Sequence, residues 1–163
     1  MTEKKGKIAI VPGSFDPITE GHIDIIRRAA ERFDHVYVAV MINQAKQYRF
    51  SIEQRTRIAQ GAVKGMERVS VISSEGMLWM LAKELGASAI VKGYRNEADW
   101  KYEQEMAQYN KAHYPQAETI LLKAEEHLSQ VSSTVVREKL LNNEDLSELL
   151  PKGAIREIEK IIK

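Results

Sequence analysis

A histidine beside a glycine at the start of a helix, and three consecutive hydroxyl residues ahead of an arginine, are residue types suited to holding a phosphate. The first set lies in VPGSFDPITEGHIDIIRRAAERF, Val11 to Phe33, where Pro12, Gly13, Pro17, Gly21 and His22 fall between an apolar run and an amphipathic pattern. Pro12 and Pro17 restrict the backbone, and Gly13 removes a side chain where a phosphate or base could approach the chain. Gly21 and His22 sit at the expected helix start, where unpaired N–H groups and the helix dipole favour an anion; the imidazole adds a donor or a positive charge. The second set is VSSTVVRE, with Ser132, Ser133 and Thr134 opening a helix and Arg137 one turn on. Plain N-capping accounts for one of these hydroxyls well and for three poorly, and Thr19 as a cap in front of an ordinary surface His22 is the structural alternative at the first set. Their coincidence with a preceding strand favours an anion site.

The elements that position these residues alternate along the chain. KIAIV (Lys7 to Val11), HVYVAVMI (His35 to Ile42), RVSVI (Arg68 to Ile72), SAIVKG (Ser88 to Gly93) and TILLK (Thr119 to Lys123) are short Val/Ile-rich runs, as buried strands require. Between them, Ile23, Ile26, Ala30 and Phe33 form one apolar helix face, Ser51 and Gln54 have capping-box spacing, and a helix from Met77 to Leu85 stops at Gly86. Strand and helix alternating in this way predict an α/β fold: a Rossmann-like, doubly wound, five-stranded parallel sheet. Helices alone follow the fifth strand, at Ser132 to Leu141, a short Asp145 to Leu150 segment, and Ala154 to Ile162. Ligands of open parallel sheets bind beyond the carboxyl ends of the strands, which directs attention to the loops after Val11, Ile42, Ile72, Val91 and Lys123.

The 163 residues suit one domain, 1–163, without repeat or linker. A net charge of +1 gives no long-range attraction to nucleic acid or an anionic membrane, so neither is an expected partner. The absence of cysteine excludes disulfides, thiolate nucleophiles and thiolate metal sites. The charged start MTEKKGK and the short apolar run after it resemble neither a signal peptide nor a membrane span, and the expected compartment is the cytoplasm. Neither G-x-x-x-x-G-K-[ST] nor G-x-G-x-x-G is present, which disfavours a P-loop enzyme or a dinucleotide dehydrogenase.

Together, PGSFDPITEGH and SSTVVRE resemble the T/H-x-G-H and I-S-S-T-x-x-R motifs of the nucleotidyltransferase superfamily. With Lys46 after the second strand and KGYRNEADWKYEQEMA after the fourth, the chain resembles the bacterial phosphopantetheine adenylyltransferases from Ile8 to the C-terminal helices. The resemblance implies transfer of AMP from ATP to 4′-phosphopantetheine, giving dephospho-coenzyme A and pyrophosphate with Mg²⁺ assisting, in a homohexamer inhibited by coenzyme A. It implies catalytic roles for His22, Lys46 and Arg95, with His22 at the α-phosphate. ATP contacts are implied at Ser14, Phe15, His22, Gly93, Tyr94, Arg95 and Glu103, and along Leu128, Ser129, Gln130, Val131, Ser132, Ser133 and Thr134. The acceptor is implied to meet Ser14, Lys46, Leu78 and Lys92. The chain departs from the family's R-G-L-R run at Lys92 and Tyr94, and Lys keeps the charge without the forked grip on phosphate. Val131 replaces the usual isoleucine.

Each of these positions has a structural alternative: a solvated charge for Lys46 and Glu103, a weak Arg95–Asp99 pair, a core position for Leu78. The aromatic and charged mixture from Trp100 to Tyr114 reads either as a nucleic-acid stacking surface or as a helix against another subunit. A related nucleotidyltransferase with another acceptor, and a nucleotide-binding regulator without turnover, are the rival readings. His22, Lys46 and Arg95 occurring together favour transfer over the regulator.

Overall fold

The computed structural model describes residues 7–162; the charged Met1–Gly6 start lies outside them. Five strands, β1 (Ile8–Gly13), β2 (His35–Met41), β3 (Val69–Ser74), β4 (Ala89–Tyr94) and β5 (Glu118–Lys123), form one all-parallel sheet in the order β3-β2-β1-β4-β5. Helices α1 (Glu20–Ala30), α2 (Ile52–Val63), α3 (Leu78–Leu85) and α4 (Glu97–His113) make the crossovers, and α5 (Ser133–Leu141) and α6 (Lys152–Ile162) follow β5. This is the doubly wound arrangement expected from the alternation, with strand ends within two residues of the Val/Ile runs.

Alternate residues of the strands enter two cores. Ala9, Val11, Val36, Val38, Val40, Ala89 and Val91 meet α1, α2, α5 and α6 through Ile26, Ile58, Val136 and Ile158. The opposite face holds a smaller set, Ile10, Ala39 and Ile90 against Leu81 and Ala82 of α3. Sequence signals end the elements as anticipated: Ser51 and Gln54 form a reciprocal capping box on α2, and Gly86 closes α3 at φ +65°. The expected helix over Asp145 to Leu150 is absent, and residues 147–149 form a turn instead. Asp145 binds the Ser147 N–H and hydroxyl at 3.1 and 2.8 Å, an acid-led turn that competes with helix.

Helices α2 and α6 meet at Gly61 and Gly153. A Cβ built on Gly61 would stand 2.7 Å from the Gly153 carbonyl oxygen, so only glycine permits this backbone approach. The feature that places the site is in the sheet. β1 and β4 pair only at Ala9↔Ala89 and Ile10↔Ile90, although both strands continue beyond. From there the two chains part, and the connections leave to opposite sides, as at the switch point of an open α/β sheet.

Candidate active site

A cleft of about 580 Å³ opens where β1 and β4 separate. One wall is the Gly13–Thr19 loop and the first turn of α1, and the other is Lys92–Arg95 with Asp99 and Glu103 of α4. Lys46, Gln47 and Tyr48 border it from the loop after β2, while Leu128, Val131–Thr134 and Arg137 border it from the segment leading into α5.

His22 is placed by helix capping. Thr19 is the N-cap of α1, accepting the His22 N–H at 3.4 Å, and the Thr19 N–H donates to His22 Nδ1 at 2.9 Å. The imidazole therefore takes the part that Glu or Gln plays in a capping box. Accepting at Nδ1 puts the proton of the neutral ring on Nε2, across the ring from the cap. Phe15 packs edge-on against the imidazole, with ring centroids 4.9 Å apart. Burial first, then the charges of Arg95 and Lys92, lower the His22 pKa from 6.5 to about 4. Of the donor and the positive charge expected from sequence, the ring therefore presents the donor at neutral pH. The capping reading holds, and the cap is what orients the ring.

The hydroxyl and arginine motif joins two loops. Ser132 caps α5 by accepting the Val135 N–H at 3.2 Å, and the Ser133 hydroxyl donates to the Pro17 carbonyl at 2.7 Å. Arg137 donates to the Asp16 carbonyl at 2.8 Å and to Thr134 Oγ1 at 3.1 Å. Asp16, 3% exposed, accepts the Arg49 and Phe50 N–H groups at 2.8 and 3.0 Å. Each of the three hydroxyls thus has a structural partner, and Ser133 with Arg137 fastens the wall after β5 to the loop after β1.

The cations differ in how they are held. Lys92 pairs with Glu103 at 2.8 Å, and Arg95 with Asp99 at 3.3 Å across one turn at the start of α4. Glu103 Oε1 is buried and has no hydrogen-bond partner among the described residues. Lys46 is exposed and forms no ion pair among the described residues. The glycines also differ. A Cβ on Gly13 would meet the Phe15 ring at 3.1 Å, so this glycine makes room for a side chain, where sequence suggested room for a ligand. A Cβ on Gly93 would meet Ile25 at 2.8 Å, fixing how closely α1 packs on β4. On Gly21 the nearest atoms would be 3.5 Å away or more, an ordinary contact, so a Cβ fits there at the lining of the cleft.

The family model described as Cytidylyltransferase-like matches residues 10–139, which run from β1 into α5. The chain is 45% identical to a phosphopantetheine adenylyltransferase of Rubrobacter xylanophilus over 94% of each chain. It is 41% identical to that of Lactobacillus acidophilus, over 96% of this chain and 98% of the relative. It is 40% identical to that of Streptococcus agalactiae, over 99% and 98% respectively. The chain belongs to the cytidylyltransferase-like family, among its phosphopantetheine adenylyltransferases.

Of the residues the motifs of this adenylyltransferase family single out, Ser14, Phe15, His22, Lys46, Lys92, Gly93, Tyr94, Arg95 and Glu103 all line the cleft, as do Leu128, Val131, Ser132, Ser133 and Thr134. Ser129, Gln130 and Leu78 do not line it; Leu78 packs on the smaller core. Asp16, Thr19, Gln47, Tyr48 and Asp99 line it without a ligand role expected from sequence, and Gly21 and Arg137, placed by sequence at the anion site, line it too. For Thr19 and Arg137 the signals were present as the cap and the motif arginine. For Asp16 and Tyr48 the contacts that join the two loops, Arg49 with Asp16 and Ser14 with Tyr48, span 33 and 34 residues, beyond any local pattern.

Proposed function

We propose that this cleft transfers the adenylyl group of ATP to 4′-phosphopantetheine, giving 3′-dephospho-coenzyme A and pyrophosphate. An oxygen of the acceptor phosphate attacks the α-phosphorus, a new P–O bond forms, and the bond to the departing pyrophosphate breaks. The nucleophile is already an anion, so no general base is required. The obstacle is repulsion between two anions, and catalysis is alignment plus donors aimed at the developing charge.

The observation that carries the reading is the capped, neutral His22, its Nε2–H free of the cap and within electrostatic reach of Lys92 and Arg95. We assign His22 to the α-phosphate and Arg95 to the nucleotide's phosphates. Lys46 faces both reactants, and Ser14 and Lys92 take the acceptor phosphate. An arriving anion opposes the effect of the two cations and raises the His22 pKa, moving the ring toward the imidazolium, the stronger donor, as charge accumulates. Mg²⁺ would be held mainly through the substrate: Asp16 and Asp99 are engaged by N–H groups, and Glu103 is held by Lys92 through Oε2, which leaves Oε1 of Glu103 as the buried carboxylate oxygen without a hydrogen-bond partner among the described residues. The metal would therefore ride on phosphate oxygens and water, neutralising the leaving pyrophosphate.

The test is pyrophosphate release from ATP with a panel of acceptors. Release with 4′-phosphopantetheine supports the reading. Release only with another phosphorylated or carboxylated acceptor replaces it with a related nucleotidyltransferase, and no release with any acceptor replaces it with a regulator.

We further propose a homohexamer, inhibited by coenzyme A at the acceptor side. Support for assembly comes from α4, on which Asn110 is the buried residue while Trp100, Tyr102, Met106 and Tyr109 are 37–56% exposed. Sedimentation checks the subunit count, and competition of coenzyme A against the acceptor checks the inhibition. Among the described residues no helix is long and apolar enough to cross a membrane. The cytoplasm is the compartment we propose, in keeping with a chain without cysteine.

A further inference from the structure

Arg55 lies on α2 and is 1% exposed, yet no carboxylate forms an ion pair with it among the described residues. Its partners are backbone carbonyls from three segments. Nη1 donates to the Ser14 oxygen at 2.7 Å and to the Met41 oxygen at 3.0 Å, and Nε donates to the Phe50 oxygen at 3.2 Å. The first belongs to the loop after β1, the second to the end of β2, and the third to the residue before the cap of α2. The Tyr48 ring lies on the guanidinium, 3.9 Å from its carbon to the ring centroid. From that seat the Tyr48 hydroxyl stands 3.4 Å from Ser14 Oγ and accepts the Asn43 N–H at 2.6 Å. Asn43 in turn accepts the Lys46 N–H at its carbonyl, 2.9 Å, and the Ala45 N–H at its side chain, 3.0 Å.

A buried cation satisfied by carbonyls and a ring is costly to assemble, so its geometric effect is informative. Here the effect is to join the loop of Ser14 to the loop of Lys46 and to hold a phenol beside the Ser14 hydroxyl. Neither Arg55 nor Tyr48 belongs to the sequence motifs.

We infer that Arg55 and Tyr48 are positioning residues for the acceptor: the guanidinium clamps the ends of β1 and β2, and the tyrosine seated on it sets the separation of Ser14 and Lys46. This rests on the assignment of Ser14 and Lys46 to the acceptor side. Arg55 also leaves a fixed positive charge behind a cleft that must receive two anions. Lysine cannot reproduce the arrangement, since it offers one compact charge and no plane for a ring to lie on.

Kinetics on Tyr48→Phe, Tyr48→Leu and Arg55→Lys decide the point. KM for ATP and for 4′-phosphopantetheine, kcat, direct binding of a non-hydrolysable ATP analogue, and Tm are measured for each variant and the wild type. Tyr48→Phe keeps the ring and removes the hydroxyl, and is expected to raise the acceptor KM three- to tenfold while ATP KM, analogue binding and Tm stay unchanged. Arg55→Lys is expected to lower kcat and raise acceptor KM each by tenfold or more, with analogue binding within twofold of wild type. Losses that fall equally on both substrates and follow Tm overturn the inference, as does an unchanged acceptor KM in both tyrosine variants. Should Arg55→Lys fail to fold, Tyr48→Phe and Tyr48→Leu decide alone. A wild-type protein that does not use 4′-phosphopantetheine refutes the proposed function; a wild-type protein that does, with indifferent Tyr48 variants, refutes this inference only.

Discussion

The two strand-to-helix connections that flank the cleft solve the same problem differently. After β1, the buried Asp16 and Thr19 are engaged by backbone, the Pro17 carbonyl by the wall after β5, and His22 is held by its cap at Nδ1, so the loop is preorganised before substrate arrives. After β4, Asn96 caps α4, and the cations Lys92 and Arg95 are held by Glu103 and Asp99 in pairs that water reaches. The first connection supplies a donor whose direction is fixed. The second supplies charge that, in the proposed reaction, exchanges a carboxylate for a phosphate. Directional stabilisation of developing charge needs preorganisation, whereas screening of two reactants tolerates side chains that move.

Variants sharpen this contrast. The largest effect is expected for His22→Ala, with kcat reduced by about 2.7–4 kcal/mol of transition-state stabilisation and ATP affinity little changed; steady-state rates against nucleotide binding check it. Equal losses in both would return His22 to the category of simple binding residues.

Next is pH. Because the folded His22 pKa is about 4 and the unfolded value 6.5, the unfolded chain binds the proton first as pH falls. This residue then costs stability progressively from about pH 6.5 down to about pH 4, on the order of 3 kcal/mol at the lower end, and costs nothing above that window. Denaturation midpoints of wild type and His22→Ala should converge across the window as pH drops. Bound nucleotide should move the imidazole titration upward in NMR spectra.

Lys92→Ala on the second connection should raise acceptor KM about tenfold, roughly 1.4 kcal/mol, with ATP KM barely altered. Gly21→Ala should raise stability by about 0.4–1 kcal/mol, since the added methyl finds room, while weakening nucleotide binding because it stands at the lining of the cleft. Calorimetry and nucleotide titration would show the opposite signs. Asp99→Asn should change stability least, by about 0.2–0.5 kcal/mol, because the Arg95 pair is a partly exposed one-turn contact.

The fold was largely legible because buried parallel strands read as near-continuous Val/Ile runs, and caps such as Ser51 and Gly86 announce themselves locally. The segment after Asn142 was misread because Leu146, Leu149 and Leu150 mimic helical spacing, while Asp145 closes a turn. At the site, motif residues were legible as types but not as states: sequence left His22 as donor or cation, and burial beside two cations decides it. Arg55 was invisible for a different reason. A charged residue in an amphipathic helix reads as solvent-facing, and only the tertiary convergence of Ser14, Met41 and Phe50 reveals it as buried.

The contact of Gly61 with Gly153 extends this dependence across the molecule. Because nothing larger than a hydrogen fits between those two backbones, α6 braces the helix that carries Arg55 from behind. A methyl group at either glycine would pry the brace loose, and the disturbance would surface at the mouth of the cleft, as a slackened hold on the acceptor, in a residue that never meets it.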